Sequence, residues 1–264
     1  MVRRRLAASR AQAVDLIEAG RVHVGGAVAE KASRLVSSGE PIVIPGPRSR
    51  FVGRGGEKLD AALSQFAIVP EGRLCLDAGA STGGFTDCLL QHGAALVCAV
   101  DVGRGQMHER LRNHPRVAVH ERTDIRSVTV ADLGGVPFDL VVADLSFISL
   151  RTVAGSLVAL AKAGGDIVVL IKPQFEAGRR EASRGKGVIR DPAVWRNAVV
   201  GAIAAFDAAG AAMMGIMVSP LRGADGNVEF LVHLRSRSGA TTPRLGRAPD
   251  VEQVLAEAAG EQEG

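Results

Sequence analysis

Asp77-Ala78-Gly79-Ala80-Ser81-Thr82-Gly83-Gly84-Phe85-Thr86 decides how this chain folds. The segment follows a short apolar run, Arg73–Asp77, and opens a helical stretch near 85–92. Small residues such as Gly79 and Ser81 at a strand-to-helix turn let a ligand approach the backbone, and a helix N-terminus adds free N–H groups. The glycine spacing is not G-x-G-x-x-G, which counts against a pyrophosphate site. Asp77, at the strand end, suits a cationic or amino-bearing ligand. Asp101 closes the second apolar run, 22 residues after Gly79, where a carboxylate accepts ribose hydroxyls. Asp124 follows the third run, within reach of an adenine amino group. A glycine turn with three solvated acids is the plainer alternative. Ligands of open α/β sheets bind at the carboxyl ends of the strands, so a nucleoside cofactor is favoured.

Outward from this segment, strand and helix alternate. Apolar runs at Arg73–Asp77, Ala95–Asp101, Arg116–His120, Phe138–Asp144 and Asp166–Lys172 predict buried parallel strands. Helices are expected near 85–92, 106–113, 149–163 and 192–209. This is the rhythm of a doubly wound α/β domain. Two last β-like runs, Met213–Ser219 and Asn227–Leu234, lie too close for a helical crossover, so they should pair antiparallel. Five parallel strands plus that hairpin match a class I methyltransferase sheet rather than the six-parallel-strand dinucleotide fold.

The chain carries a formal charge of +4, distributed unevenly: residues 1–50 hold +5 and the rest −1. Arg3, Arg4, Arg5, Arg10 and Arg21 contribute most, which predicts a small polyanion-binding module beside a near-neutral domain. Ser9-Arg10-Ala11-Gln12 is a capping box, followed by the apolar face of Ala13, Leu16 and Ile17. Val22–Val24 and Ala27-Val28 read as two short strands around the Gly25-Gly26 turn, and Pro41–Ile44 as one more strand. At about 50 residues such a module has little core of its own and should lean on its neighbour. Pro45–Arg50 is a linker by composition, and a weak helix is expected at Asp250–Ala259.

Apolar residues at 47% and charged ones at 23% exclude a disordered chain. Cys75, Cys88 and Cys98 lack CxxC spacing and sit in apolar runs, which fits reduced thiols in the cytosol, and the six histidines lack metal-ligand spacing. No metal is expected. No apolar signal region follows Arg3–Arg5. Ala198–Val218 is long enough to span a bilayer. Asp207 near its middle and Gly210 make it a buried helix followed by a strand instead.

Four more residues fall where a substrate would lie: Lys58, Asp144, Lys172 and Glu229. Each alone reads as a solvated strand end. Together they set two amines and two carboxylates near one sheet edge. Neighbouring positive charge and partial burial both lower a lysine's pKa, which is how an amine becomes a usable base.

These residues carry a resemblance to the TlyA-type ribosomal RNA methyltransferases, also called the haemolysin A family. It runs from Ser9-Arg10 and Ile17-x-x-Gly20-Arg21-Val22-x-Val24 through Arg54–Leu59 and Asp77–Thr86. It continues in Val142–Ser149, Lys172–Glu176, Gly187–Pro192, Ser219-Pro220 and Gly226–Phe230. The resemblance implies an S4-type α+β RNA-binding domain at 1–47, a linker at 48–54, and an FtsJ-like methyltransferase domain at 55–235. A polar linker and C-terminal helix would occupy 236–264. The catalytic domain would be a Rossmann-like class I fold with seven strands, the last antiparallel.

By the same resemblance, Lys58, Asp144, Lys172 and Glu229 form the tetrad of ribose 2′-O-methylation. Gly83, Phe85, Asp101 and Asp124 fall on S-adenosylmethionine-contact positions. Phe85 replaces a frequent Trp, and Asp124 stands where an Asn is also found. The implied substrate is cytidine ribose in large-subunit rRNA, and in some members small-subunit rRNA as well. The implied partners are rRNA and ribosomal subunits in the cytoplasm, with no membrane. Val2–Leu6 stands where S4-type domains usually begin with an Arg-Leu-Asp-containing helix. Either the module is shortened or the true start lies upstream. Two rivals remain: a membrane-active haemolysin resting on Ala198–Val218, and a nicotinamide-dependent oxidoreductase on the same fold.

Overall fold

Continuous apolar runs become central strands when both faces of a sheet are covered, and the computed structural model follows that rule. It describes residues 1–4, 6–7, 10–18, 20–45, 50–177, 187–237 and 251–263. Arg5, Ser9 and linker residues 46–49 lie outside these.

The N-terminal module consists of α1 (Arg10–Glu18) and the short strands β1 (His23–Val24), β2 (Ala27–Val28) and β3 (Ile42–Val43). The strands form an antiparallel sheet in the order β2-β1-β3. Its core is small, with Val22, Val24 and Ala29 buried and Leu16, Ile17 and Ile42 packed against them.

The larger domain begins with α2 (Gly55–Gln65), β4 (Leu74–Ala78), α3 (Gly84–Gln91) and β5 (Leu96–Asp101). It continues through α4 (Glu109–Arg112), β6 (Val117–Glu121), β7 (Phe138–Ala143), α5 (Leu150–Leu160) and β8 (Ala161–Ile171). The single turn α6 (Pro173–Glu176), α7 (Pro192–Ala208), β9 (Ala211–Val218), β10 (Phe230–Ser236) and α8 (Val251–Glu263) complete it. The seven strands lie in the order β6-β5-β4-β7-β8-β10-β9. β4 to β8 run parallel, and β10 runs antiparallel to both β8 and β9.

Alternate residues of each strand feed opposite cores. Leu76, Val141, Val169 and Val232 pack with α5, α7 and α8; Cys75, Val142, Val168 and Leu231 pack with α2 and α3. Burial pushes the Cys75 thiol up to about 12 and that of Cys98 to about 11, so these are inert packing groups.

Two helices are shorter than their sequence pattern predicts. α5 stops at Leu160 because Ala161 turns extended and pairs with Phe138, and Gly164 takes φ +76°. α4 starts only at Glu109: the His108 N–H is bound by the Thr82 carbonyl, and its Nδ1 caps Arg110. The apolar stretch 198–218 divides as expected. α7 ends at Ala208, Gly210 turns at φ +98°, and β9 follows. Among the described residues, no helix is long and apolar enough to cross a membrane.

Candidate active site

The order of β5-β4-β7 opens a crevice at the carboxyl end of β4, where connections leave in opposite directions. Two glycines there leave no room for a side chain. A Cβ on Gly79 (φ +85°) would lie 2.5 Å from the Asp144 carbonyl oxygen, and one on Gly83 (φ +96°) 2.3 Å from Leu111. Ser81 adopts φ +47°, and its N–H donates to Asp101 Oδ2 at 2.8 Å. The Gly103 N–H donates to Asp101 Oδ1 at 2.6 Å, so Asp101 ties the loops after β4 and β5 together.

Asp77 is fully buried. Its Oδ2 accepts from the Thr86 hydroxyl at 2.6 Å, while Oδ1 has no hydrogen-bond partner. Burial pushes this carboxyl up to about 7; Thr86 opposes the shift, and Asp144 and Asp101 add to it. A carboxyl raised on folding loses stability as pH climbs from its unfolded value to its folded one. Asp77→Asn should therefore gain on the wild type between about pH 4 and pH 7, by up to ~4 kcal/mol, and then level off. Urea unfolding of both proteins across that range reads the difference directly. A gap that does not change with pH would mean that Asp77 titrates normally.

Register assembles the remaining groups. The pairing of Ala78 with Ala143 brings Asp144 beside the Gly79 turn, and Phe230 opposite Ile171 brings Glu229 beside Lys172. Lys58 arrives from α2, which lies tightly on its surroundings: a Cβ on Gly56 would overlap Phe51, and one on Gly84 would come 3.0 Å from the Gly56 nitrogen. Lys58 and Glu229 form an ion pair with side chains 9% and 2% exposed. Lys172 Nζ lies 2.6 Å from Asp144 Oδ1 and donates to Ser146 Oγ at 2.9 Å. Burial raises the Glu229 carboxyl above its usual range, opposed by Lys58 and Lys172 and reinforced by Asp144. The other three groups thus all act on Glu229.

Asp144 and Lys172 border a cavity of about 760 Å³ whose lining also includes Gly79, Ser81, Phe85 and Ser146, and the Lys58–Glu229 pair lies buried outside that lining. Leu16, Glu18 and Arg21 of the N-terminal module form part of the same wall.

Other expected site residues are placed differently. Asp124 caps a turn at Ile125–Ser127, and its carboxylate is taken up by Arg126 at 2.5–3.0 Å. Arg126 holds that carboxyl down at about 2. Arg4 donates to the carbonyls of Ser37, Ser38 and Glu40, which knits the module together. Arg3 and Arg10 are exposed, and Arg5 falls outside the described residues.

The structure adds residues that composition and spacing did not single out. Phe147 is 92% exposed at φ +65°, and its ring lies 5.1 Å from that of Phe175. A left-handed backbone at a bulky residue costs roughly 1–3 kcal/mol and marks functional sites more often than chance. The only hint in the sequence is an aromatic residue placed just beyond an apolar strand. Among the described residues, Asp60, Cys88 and His92 also bring possible metal-ligand atoms within 4.8 Å of one another. There Asp60 is already paired with Arg50 at 2.7 Å and His92 at 2.6 Å.

A family model for FtsJ-like methyltransferases matches residues 51–236. The chain belongs to this family. It is thus a methyltransferase, and an S4 domain model matches residues 1–42 ahead of it. The TlyA 16S/23S rRNA (cytidine-2′-O)-methyltransferase of Mycobacterium tuberculosis is 46% identical over 97% of this chain and 96% of its own. Hemolysin A of Brachyspira hyodysenteriae is 39% identical over 85% of this chain and 93% of its own. A solved structure from Streptococcus thermophilus, described as a hemolysin, superposes with a TM-score of 0.78 at 34% identity, covering 98% and 93%. An S-adenosylmethionine-dependent methyltransferase from Mesorhizobium loti shares the fold alone, with a TM-score of 0.51 at 16% identity. An FtsJ-like sheet with β10 antiparallel differs from the six-parallel-strand dinucleotide fold, which removes the structural basis for a nicotinamide enzyme. The stretch on which a membrane-active reading rested is α7 and β9 of the FtsJ-like core.

Proposed function

We propose that this chain methylates a ribose 2′-hydroxyl of ribosomal RNA, with cytidine as the target nucleoside. Large-subunit rRNA is the first substrate in this reading and small-subunit rRNA the second. The observation that carries it is the Lys172–Asp144 pair at a cavity bordered by the Gly79–Phe85 turn, with the buried Lys58–Glu229 pair close enough that Lys172 and Asp144 act on Glu229. The activity of the M. tuberculosis relative, a 16S/23S rRNA (cytidine-2′-O)-methyltransferase, supports the same chemistry.

The turn fits S-adenosylmethionine, which when bound supplies an electrophilic methyl on a cationic sulfur. Gly79 and Gly83 let the turn pack closely against Asp144 and Leu111, Gly79 lines the cavity, and Asp77 offers an unsatisfied carboxyl oxygen to a cationic or amino-bearing ligand. Ser81 and Phe85 would line its seat and Asp101 would take its ribose hydroxyls. Asp124 would reach adenine only by leaving Arg126.

Lys172 is the group that takes the 2′-hydroxyl proton or orients its lone pair. Ser146 Oγ accepts a hydrogen bond from its Nζ, and the Asp144 carboxylate holds it as an ion-pair partner at 2.6 Å. The buried Lys58–Glu229 pair sets a second amine and carboxylate beside it. Much of the rate then comes from holding hydroxyl and amine in line.

Arg3, Arg10 and Arg21 would grip RNA phosphates, which position a substrate without specifying its sequence. The partners are then ribosomal subunits, and the place of action is the cytoplasm. Phe147, exposed, tilted against Phe175 and one residue beyond the cavity-lining Ser146, offers a face for the target base. Base–aromatic stacking contributes about 1–3 kcal/mol, so Phe147→Ala should raise KM for RNA by roughly 5- to 150-fold. Steady-state kinetics with saturating cofactor check this, and an unchanged KM would remove Phe147 from the substrate path. The proposed activity itself is tested by transfer of labelled methyl from S-adenosylmethionine to purified ribosomal subunits. No transfer to either subunit would overturn it.

A further inference from the structure

Two segments meet at the cavity, and each supplies part of the chemistry. The loop after β7 carries Asp144, Ser146 and Phe147; the end of β8 carries Lys172 and then Phe175 on the single turn α6. Side chains inside the site join them through Lys172, Asp144 and Ser146. A second join lies outside the cavity, where nothing in the chemistry requires a charge. There the Glu176 carboxylate, its side chain 1% exposed, accepts the Ser149 hydroxyl at 2.5 Å and the Leu150 N–H at 2.6 Å.

Ser149 is the N-cap of α5, so Glu176 holds the start of that helix from a different element. The free N–H groups and positive dipole end there favour a carboxylate. Arg151 Nε, at 3.7 Å, adds partial compensation for burying the charge. Between Lys172 and Glu176 the backbone has little freedom, because the Phe175 N–H donates to the Lys172 carbonyl and the Ala177 N–H to that of Pro173. A shift at Glu176 is therefore felt at Lys172. Phe147, held at φ +65° in the clamped loop, adds a second reason for the join. Unfavourable backbone conformations persist only where the surroundings over-determine them.

We propose that Glu176 is a positioning residue for methyl transfer: it clamps the Asp144–Ser149 loop to the Lys172–Glu176 segment and so sets the amine–carboxylate geometry. The role rests on the methyltransferase reading of the same site, and Glu176 itself touches neither substrate nor cofactor.

Three variants test it: Glu176→Ala, Glu176→Gln and Ser149→Ala, each measured for kcat, cofactor affinity and amide hydrogen exchange over residues 145–150. Small displacements of reacting groups cost up to about 10²-fold in rate, so Glu176→Ala should lose on the order of 10²-fold in kcat. Its cofactor affinity should hold, and exchange in the loop should quicken. Glu176→Gln should recover most of the rate, because its carboxamide can accept from the Leu150 N–H and donate to the Ser149 oxygen. Should Glu176→Ala fail to fold, Ser149→Ala removes the bond to Glu176 and the cap bond from the Arg151 N–H, keeps the Leu150 N–H on Glu176, and is expected to lose roughly 10-fold in kcat. A kcat within about twofold of wild type in the folded alanine variants, or unchanged loop exchange, overturns the role of Glu176 alone. A wild-type chain that transfers no methyl overturns the function on which the role rests.

Discussion

Lys172→Ala lowers methyl transfer to ribosomal subunits by about 10²- to 10⁴-fold, the range for removing a positioned acid–base group. Its Nζ borders the cavity and is fixed by Asp144 at 2.6 Å and Ser146 at 2.9 Å, so its loss removes the amine nearest the crevice. The fold should persist, because Lys172 follows the last residue of β8 and its side chain is not part of either core. Lys172→Arg should not rescue, since a guanidinium does not give up its proton in a protein. Labelled-methyl assays on folded variants read both outcomes. Turnover close to wild type in Lys172→Ala would take this lysine out of the chemistry.

Lys58→Met should destabilise the protein by about 3–5 kcal/mol at neutral pH, because it leaves the Glu229 charge buried without its partner. The sign of the pH dependence follows from burial. Glu229 is already raised above the usual carboxylate range, and losing Lys58 raises it further. An acid raised on folding costs stability only where it must ionise, so the penalty shrinks as pH falls. The double variant Lys58→Met with Glu229→Leu should recover most of the stability, since apolar pairs often replace buried ion pairs without loss. It should recover none of the methyl transfer. Denaturant unfolding at pH 5 and pH 8 separates these effects. A loss below about 1 kcal/mol for Lys58→Met would mean that the pair is effectively solvated.

The residues that were legible in the sequence are those whose surroundings demand one kind of side chain. Leu140–Ala143 and Ile167–Ile171 are buried on both faces, so they had to be uniformly apolar, and their ends revealed Asp144 and Lys172. The hairpin of β9 and β10 followed from a gap too short for a helix. Lys58 was singled out without its helix: Leu59, Ala62 and Leu63 do give α2 a buried face, but over only three turns. Glu176 was illegible because its partners, Ser149 and Leu150, are 26–27 residues away and are met only after the sheet is formed. Arg4 shows the limit of counting charge. It adds to the basic N-terminus, yet its guanidinium is spent on three carbonyls of its own module. Asp124 likewise sat at the right strand end, while a neighbour two positions along, Arg126, claimed its carboxylate.

The most direct measurement maps ribose methylation, nucleotide by nucleotide, on ribosomal RNA treated with this protein and S-adenosylmethionine. A new 2′-O-methyl group on a cytidine, present with the wild type and absent with Lys172→Ala, is the predicted result. Methyl groups on bases, on protein or nowhere would contradict a ribose 2′-O-methyltransferase built on Lys58, Asp144, Lys172 and Glu229.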